Sequence, residues 1–267
     1  MRVISLLLGF AWALIGGLSA EEGGEEEEKR AKRPPRVVRF LPVGEKPPYI
    51  QITRDGISYE QPPPPGSVPP GNVTIGVPKE DGGEDSLGKA SLQLGQVSVG
   101  VEIPKGAGPL RVRAGGATDE ESQPWLKLER PEEGDLLVVL WRDPRGKSWD
   151  RVRAKVLSAG SVAGKVTIVN VASGKVAVTY GTDKFLLGTL DSRRTELPPG
   201  RPLGLKLEVS DGKGGLMKQY QGSLEQQPGE ASLVILYQAD RDEADRKRTD
   251  LVLKCVIRRE LVAEVPG

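Results

Sequence analysis

The sequence predicts an all-β protein with two tandem immunoglobulin-like β-sandwich domains, and three features carry that prediction. Apolar and polar residues alternate from Val37 onward, which is the period of a strand with one buried face. The chain holds 34 Gly and 22 Pro in 267 residues, and their clusters interrupt the alternation at short intervals, as turns do. Two longer apolar runs recur in similar surroundings. This spacing of strands and turns is typical of sandwiches or barrels.

Residues 1–20 are typical of a secretory signal peptide. Met1 and Arg2 form a positive start, an apolar run covers residues 3–18, and a small residue precedes an acidic stretch. The alternative, a membrane anchor, needs about 20 predominantly apolar residues. This run is shorter and contains three glycines. We therefore expect cleavage near Ala20, export to the periplasm or outside the cell, and no membrane span in the mature chain.

Residues 21–35 form a charged segment between the signal peptide and the first predicted domain. An acidic block, Glu25 to Glu28, meets a basic block that ends at Pro34 and Pro35. No apolar side chain larger than that of alanine is present, so the segment cannot build a core and is predicted to be a disordered linker. A tether or a docking arm is the functional alternative.

Several strands can be placed in the first half. Residues 49–60 indicate a hairpin, because Asp55–Gly56 supplies the positive φ angles of a tight turn. Alternation at 92–103 and 125–128 predicts further strands. The proline-rich stretch 61–71 predicts a stiff, polyproline-like connector, with a recognition strip as the alternative.

The two long apolar runs suggest a tandem repeat. Residues 136–141 and 233–237 each follow a Gly-acid pair, and each precedes a similar strand, at 150–157 and 250–257 respectively. The alternative is convergence of two generic core strands on similar residues. The small-residue stretch Ser158 to Gly164 suits a linker between the copies. The predicted domains are therefore 36–158 and 164–262.

The second half also carries a family resemblance. A strand at 165–172, which reads Lys-Val-Thr-Ile-Val-Asn-Val-Ala, leads to a short strand at 175–180, to Pro198-Pro-Gly, and to the cleanly alternating strand 205–209. This order resembles small exported β-sandwich domains of surface proteins of unknown function and of the alginate-acetylation accessory protein. The resemblance implies a seven- or eight-stranded immunoglobulin-like sandwich without catalytic residues, and it implies no substrate.

Residue counts exclude several chemistries. The chain has no histidine, which removes Ser-His-Asp triads, Cys-His pairs and the common zinc sites. Cys255 is alone, so no intramolecular disulfide can form, and its alternation with Leu253 and Ile257 predicts burial. The formal charge of +1 offers no electrostatic case for nucleic acid.

No short motif predicts a catalytic residue or a cofactor site. Residues 83–90 fit the P-loop spacing but end in Ala90, where Ser or Thr must hold magnesium, so a polar turn before a strand at Leu92 is expected. The Ser-x-x-Lys pairs that begin at Ser86 and Ser210 lack a helical context. We predict no catalytic residue, no cofactor and no metal ligand set.

Acidic clusters leave two alternatives open. Those at Asp81–Asp85 and at 119–121 lie in polar or glycine-rich stretches, where solvated turns are expected. Oxygen ligands in an irregular loop suit calcium, so calcium binding at Asp81–Asp85 stays open. Paired carboxylates could also hydrolyse glycosides without histidine.

The contact surface predicted from sequence combines a tryptophan with a charged loop. Trp149 lies between the two repeat strands of the first copy, and the equivalent loop of the second copy carries Arg241, Arg246 and Arg248. An exposed Trp149 would be a plausible contact, whereas a ring that caps the core is the alternative.

These observations predict an exported, non-catalytic binding or structural protein of the bacterial cell envelope. Its expected partner is a protein or a surface glycan, and nucleic acid is not expected. The alternatives are an accessory protein for surface-polysaccharide binding or modification, and a histidine-free hydrolase.

Overall fold

Eighteen strands make up the regular structure of the described part of the chain, and these residues contain no helix. The computed structural model describes residues 35–47, 50–80, 82–115, 123–143, 148–211, 213, 215–240 and 251–262. The all-β prediction is confirmed. The predicted signal peptide and nearly all of the charged linker lie outside the described residues and stay predictions.

The first half of the chain contains ten strands. They are β1 (Val37–Pro42), β2 (Ile50–Arg54), β3 (Ile57–Gln61), β4 (Asn72–Pro78), β5 (Glu84–Ser91), β6 (Val101–Glu102), β7 (Gly108–Ala114), β8 (Leu126–Arg130), β9 (Leu136–Arg142) and β10 (Val152–Ser158). One sheet has the order β10-β9-β1-β6, another has the order β5-β4-β7-β8, and β2 and β3 form a hairpin of their own.

The second half contains eight strands. They are β11 (Lys165–Asn170), β12 (Val176–Tyr180), β13 (Asp183–Leu187), β14 (Ser192–Glu196), β15 (Leu203–Ser210), β16 (Leu216–Leu224), β17 (Glu230–Gln238) and β18 (Leu253–Leu261). Their two sheets have the orders β14-β11-β17-β18 and β13-β12-β15-β16.

Each half buries its own apolar core. The first core draws on the inward residues of both sheets, with Phe40, Ile75 and Leu110 fully buried. The second core is built in the same way and includes Ile168 and Leu207. Aliphatic side chains dominate both cores, in agreement with the low aromatic content of the sequence.

The two halves share one strand arrangement around their longest strands. In the first, β1 lies parallel to β9, and β10 pairs antiparallel with the other edge of β9. In the second, β11 lies parallel to β17, and β18 pairs antiparallel with its other edge. This correspondence is the one that the recurring apolar runs suggested. The immunoglobulin-like designation and the domain limits 36–158 and 164–262 stay predictions.

A third apolar cluster lies between the halves and explains why β9 and β17 are apolar on both faces. It joins the outward residues of sheet β10-β9-β1-β6 to those of sheet β14-β11-β17-β18. Its buried members are Leu41, Val43, Val139, Trp141, Val169, Val171, Ile235 and Tyr237. Ion pairs between Arg142 and Asp240 and between Glu45 and Lys254 cross from one half to the other. Arg36–Gly267 accordingly form a single compact unit.

The predicted hairpin at 49–60 is confirmed. Its turn residues Asp55 and Gly56 have φ angles of 53° and 77°, as a two-residue hairpin turn requires. The hairpin forms its own sheet, with Ile57 and Tyr59 more than half exposed.

Two other predictions in the first half are wrong. Of residues 92–103, only the two residues of β6 form a strand. The chain turns at Gly95, whose φ is 72°, and Val97 and Val99 are exposed although Leu92, Val101 and Ile103 reach the first core, so the alternation does not belong to one continuous strand. Residues 83–90 were predicted to form a polar turn, but residues 84–91 form β5 against β4, and Ala90 reaches the first core.

Candidate ligand-binding cleft

The two facing sheets touch at one end and separate at the other. The third apolar cluster closes the interface where β1, β9, β11 and β17 end. Toward the beginnings of these strands the sheets diverge and leave a cleft of about 750 Å³, within the range typical of ligand sites. Residues 158–162, which lead from β10 toward β11, line one side of it.

The wall from the second half is a row of residues that crosses the whole sheet. The strand registers pair Arg194 with Thr167, Thr167 with Leu233, and Leu233 with Arg258. These four residues line the cleft. Because residues paired across strands share a face, the row places one arginine at each edge of the sheet and Leu233 between them.

The wall from the first half is the corresponding row on the facing sheet. Arg39 pairs with Leu137 across the parallel strands, and Leu137 pairs with Leu157. All three line the cleft. Both leucines are partly buried against the third apolar cluster, so they form an apolar floor beside a cationic edge.

The cleft is strongly cationic although the whole chain is nearly neutral. Five of its described lining residues are basic and one is acidic; they are Arg39, Lys165, Arg194, Arg258, Arg259 and Glu260. Low-dielectric walls of one charge sign concentrate the field inside a cleft, so oppositely charged ligands are attracted there.

Contacts within the protein hold only some of these cations. Lys165 pairs with Glu196, and a guanidinium nitrogen of Arg39 lies 3.6 Å from a carboxylate oxygen of Asp135. Arg194 donates to the carbonyl oxygen of Gly160 at 3.0 Å. The Nε of Arg258 is buried and, among the described residues, has no hydrogen-bond partner. A buried donor without an acceptor is costly.

The contact surface predicted from sequence is corrected at Trp149. Its side chain is 1% exposed and belongs to the first core, so it cannot be an exposed contact. The alternative, a ring that caps the core, describes its position. Trp125 Nε1 donates a hydrogen bond of 2.8 Å to the carbonyl oxygen of Trp149 and so holds the backbone at this residue in place. Arg241, Arg246 and Arg248 lie outside the described residues and stay a prediction.

Internal ion pairs occupy the described carboxylates of the acidic loop. Glu84 lies 2.9 Å from a guanidinium nitrogen of Arg113, and Asp85 lies 2.8 Å from the ammonium of Lys79. Asp81 is outside the described residues. No group of three potential metal ligands occurs among the residues that are described. Calcium binding at Asp81–Asp85 stays an open prediction.

Neither Ser-x-x-Lys pair has the helical context that the enzyme motif requires. Ser86 and Lys89 both lie in the strand β5. Ser210 ends β15, and Lys213 follows in the connection to β16. The absence of catalysis nevertheless stays a prediction.

Cys255 packs against the second core from β18 and is only partly exposed. Burial raises the pKa of the Cys255 thiol, so the reactive thiolate is scarce at neutral pH. We expect iodoacetamide to label the folded protein at pH 7.5 about tenfold more slowly than the urea-unfolded chain. Equal rates in both states would contradict this placement.

The raised pKa of Cys255 also makes the stability of the fold depend on pH. The folded state holds this proton more tightly than the unfolded chain does. The protonated thiol therefore makes its full contribution to the free energy of unfolding below the ordinary thiol pKa of about 8.5. Stability is expected to fall as the pH rises above this value.

The cleft residues were missed by the sequence analysis. Arg39, Arg194 and Arg258 stand in ordinary alternating strands, where a basic residue is expected to face water. The sequence held one signal, at Arg39. This residue shares a strand face with Leu41 and Val43, which belong to the third apolar cluster.

Comparisons with known proteins add little to this geometry. No family model and no curated protein matches the chain, so the family resemblance of the second half stays a prediction. A proposed cell adhesion protein from Bacteroides eggerthii aligns with a TM-score of 0.23 and 9% identity over 85% of this chain and 96% of its own. Gamma-CGTase from the alkalophilic Bacillus clarkii aligns with a TM-score of 0.21 and 11% identity over 78% of this chain and 28% of its own. Both scores are too low to carry an argument.

The described part of the chain offers no helix with the length and apolar character that a bilayer crossing requires.

Proposed function

We propose that this protein is an exported, non-catalytic binding or structural protein of the bacterial cell envelope that holds an anionic ligand in the cleft between its two halves. One observation carries the proposal: five basic side chains and one acidic side chain line a cleft in a chain whose formal charge is only +1. Concentrated charge of one sign on a nearly neutral protein favours a ligand of the opposite sign.

The chemistry of the cleft supports binding over catalysis. Its described lining holds one carboxylate, Glu260, and no cysteine. A glycosidase needs two carboxyl groups that flank the scissile bond, and a covalent mechanism needs an activated nucleophile with a base beside it. Guanidinium and ammonium groups instead recognise carboxylates and phosphates by charge-assisted hydrogen bonds.

The accessory role in binding or modifying a surface polysaccharide is the second candidate. The same basic cleft favours it, since acidic polysaccharides carry carboxylates that arginine can bind. Both candidates predict export, for which the signal-peptide pattern of residues 1–20 is the support.

The binding proposal predicts a salt-sensitive interaction with a simple polyanion. Fluorescein-labelled poly-L-glutamate titrated into the purified protein should bind at low salt, and binding should weaken at higher ionic strength, because salt screens exposed charges. Replacing Arg39, Arg194 and Arg258 together by glutamine should weaken binding about tenfold or more, since three charge-assisted contacts are lost. Fluorescence anisotropy measures both effects.

A second triple variant controls for net charge. Arg54, Arg151 and Arg201 are exposed and lie away from the cleft, and their replacement by glutamine removes the same charge. The control should bind as the unmodified protein does. Absence of any binding, or equal weakening by the two triple variants, would refute the cleft as the binding site.

A further inference from the structure

The two walls of the cleft present charge and apolar surface in a fixed order. On the second half, Arg194, Leu233 and Arg258 follow one another across four strands. Neighbouring strands lie about 4.8 Å apart, so the two arginine Cα atoms are separated by about 14 Å. On the facing sheet, Arg39 precedes Leu137 and Leu157. With Thr167 between Arg194 and Leu233, the wall of the second half therefore runs cationic, polar, apolar and cationic, and the facing wall runs cationic, apolar and apolar.

We propose that the ligand of this cleft is an extended protein segment with acidic residues at positions i and i+4 and an apolar residue at i+2. The proposal rests on the function proposed above and names its ligand class. An extended chain rises about 3.4 Å per residue, so four residues span about 14 Å, the distance between the two arginine positions. Residues i, i+2 and i+4 of such a chain point to the same side.

The apolar floor distinguishes such a peptide from an acidic glycan. Leu137, Leu157 and Leu233 all line the cleft and pack against the third apolar cluster, and an apolar side chain at i+2 placed against them would be removed from water. A polyuronate carries a charge on every sugar and has no aliphatic side chain to place there. Sugar rings also pack well on flat aromatic side chains, and the described lining of the cleft contains none.

The described tryptophans, which could stack on a sugar ring, lie outside the cleft. Trp149 is buried in the first core, and Trp125 packs against it. Trp141 belongs to the third apolar cluster, at the closed end of the interface, and is 6% exposed. The cleft thus recognises its ligand with guanidinium groups and branched aliphatic side chains, which suit acidic and apolar residues of a protein.

The ligand would be held by its side chains and not by strand addition. The row from Arg194 to Arg258 runs across the strands, so a segment that follows it also crosses them and cannot extend their hydrogen-bond ladder. Arg194 and Arg258 stand at the two ends of this row, where their guanidinium groups can pair with acidic residues of the segment. Recognition should therefore depend on the spacing of the acidic residues.

Three blocked peptides of five residues test this inference by isothermal titration calorimetry with the intact protein. Glu-Ser-Leu-Ser-Glu has the proposed pattern, Glu-Glu-Leu-Ser-Ser has the same composition with adjacent acids, and Glu-Ser-Ser-Ser-Glu lacks the apolar centre. The first should bind about tenfold more tightly than either of the others. Replacing Arg194 or Arg258 by glutamine should remove this preference, whereas Arg201→Gln should preserve it.

The outcomes separate this inference from the function on which it rests. Equal affinity for the three peptides would overturn the spacing rule while the cleft still binds anions. Tighter binding of an oligogalacturonate of equal charge would overturn the peptide ligand and favour the polysaccharide role. If neither the peptides nor poly-L-glutamate bind, both proposals fail.

Discussion

Replacing Asn170 by alanine is expected to lower the free energy of unfolding by about 3 kcal/mol, because one fully buried side chain satisfies four backbone groups. Its Nδ2 lies 2.8, 3.2 and 3.0 Å from the carbonyl oxygens of Gly174, Leu187 and Gly188, so its two hydrogens are shared among three acceptors, and its Oδ1 accepts from the amide of Ala172 at 3.0 Å. The side chain is 0% exposed, so water cannot replace these bonds.

The position of Asn170 explains why its loss should spread. It ends β11, and its own amide and carbonyl bond to Asp191 and Leu190. The residue therefore ties β11 to two connections at once, the one that leads into β12 and the one that leads into β14. Urea unfolding followed by circular dichroism gives the change in free energy from the midpoint at constant slope.

Two variants test the reason for the Asn170 effect. Asn170→Asp keeps the size and the acceptor for Ala172 but offers no donors to three carbonyl oxygens, so it should destabilise at least as much as alanine does. The other asparagine of the chain, Asn72, is exposed at the start of β4, and Asn72→Ala should change stability by less than about 0.5 kcal/mol. A loss below about 1 kcal/mol in Asn170→Ala would contradict the structural role.

Asn170 also shows how much of the structure could be predicted from the sequence. It stands in the strand at 165–172 that carries part of the family resemblance, so its neighbourhood was recognisable before its hydrogen bonds were known. The bonds themselves join residues 170, 187 and 188, which are distant in sequence, and local patterns do not encode such a meeting. The short strands β13 and β14 were not predicted for a related reason. They form because they pair with neighbouring strands, and their own residues do not show a strand pattern.

The interface between the halves could be predicted from the sequence only in part. The runs at 136–141 and 233–237 are apolar on both faces, which indicates that both faces are buried. The sequence does not say what covers the second face. The structure shows that each run covers the other, and on β1 this contact ends where Arg39 stands on the same strand face as Leu41.

Replacing Ile235 by aspartate should disrupt that interface and lower the free energy of unfolding by about 4 kcal/mol or more. Ile235 is 0% exposed in the third apolar cluster, and its removal alone costs about 2–5 kcal/mol in a packed site. A carboxylate there would also be buried without a partner, which adds to the loss. Urea unfolding measures the change.

Leu186→Asp is the matched control, because Leu186 is an outward residue of the other sheet of the same half. It is 59% exposed, so the same chemical change should alter stability by less than about 0.5 kcal/mol. Similar losses in the two variants would mean that the interface cluster contributes nothing specific.

The Ile235 variant also links the interface to the cleft. Ile235 points toward the facing sheet, away from the second core, so aspartate can reach water if the two sheets separate. Separation would part the row of Arg194 and Arg258 from that of Arg39, and poly-L-glutamate binding should weaken even under conditions where circular dichroism still shows folded β-structure. Retention of full binding affinity together with a large loss of stability would show that one wall is sufficient, and would place the ligand on the sheet that carries Arg194 and Arg258.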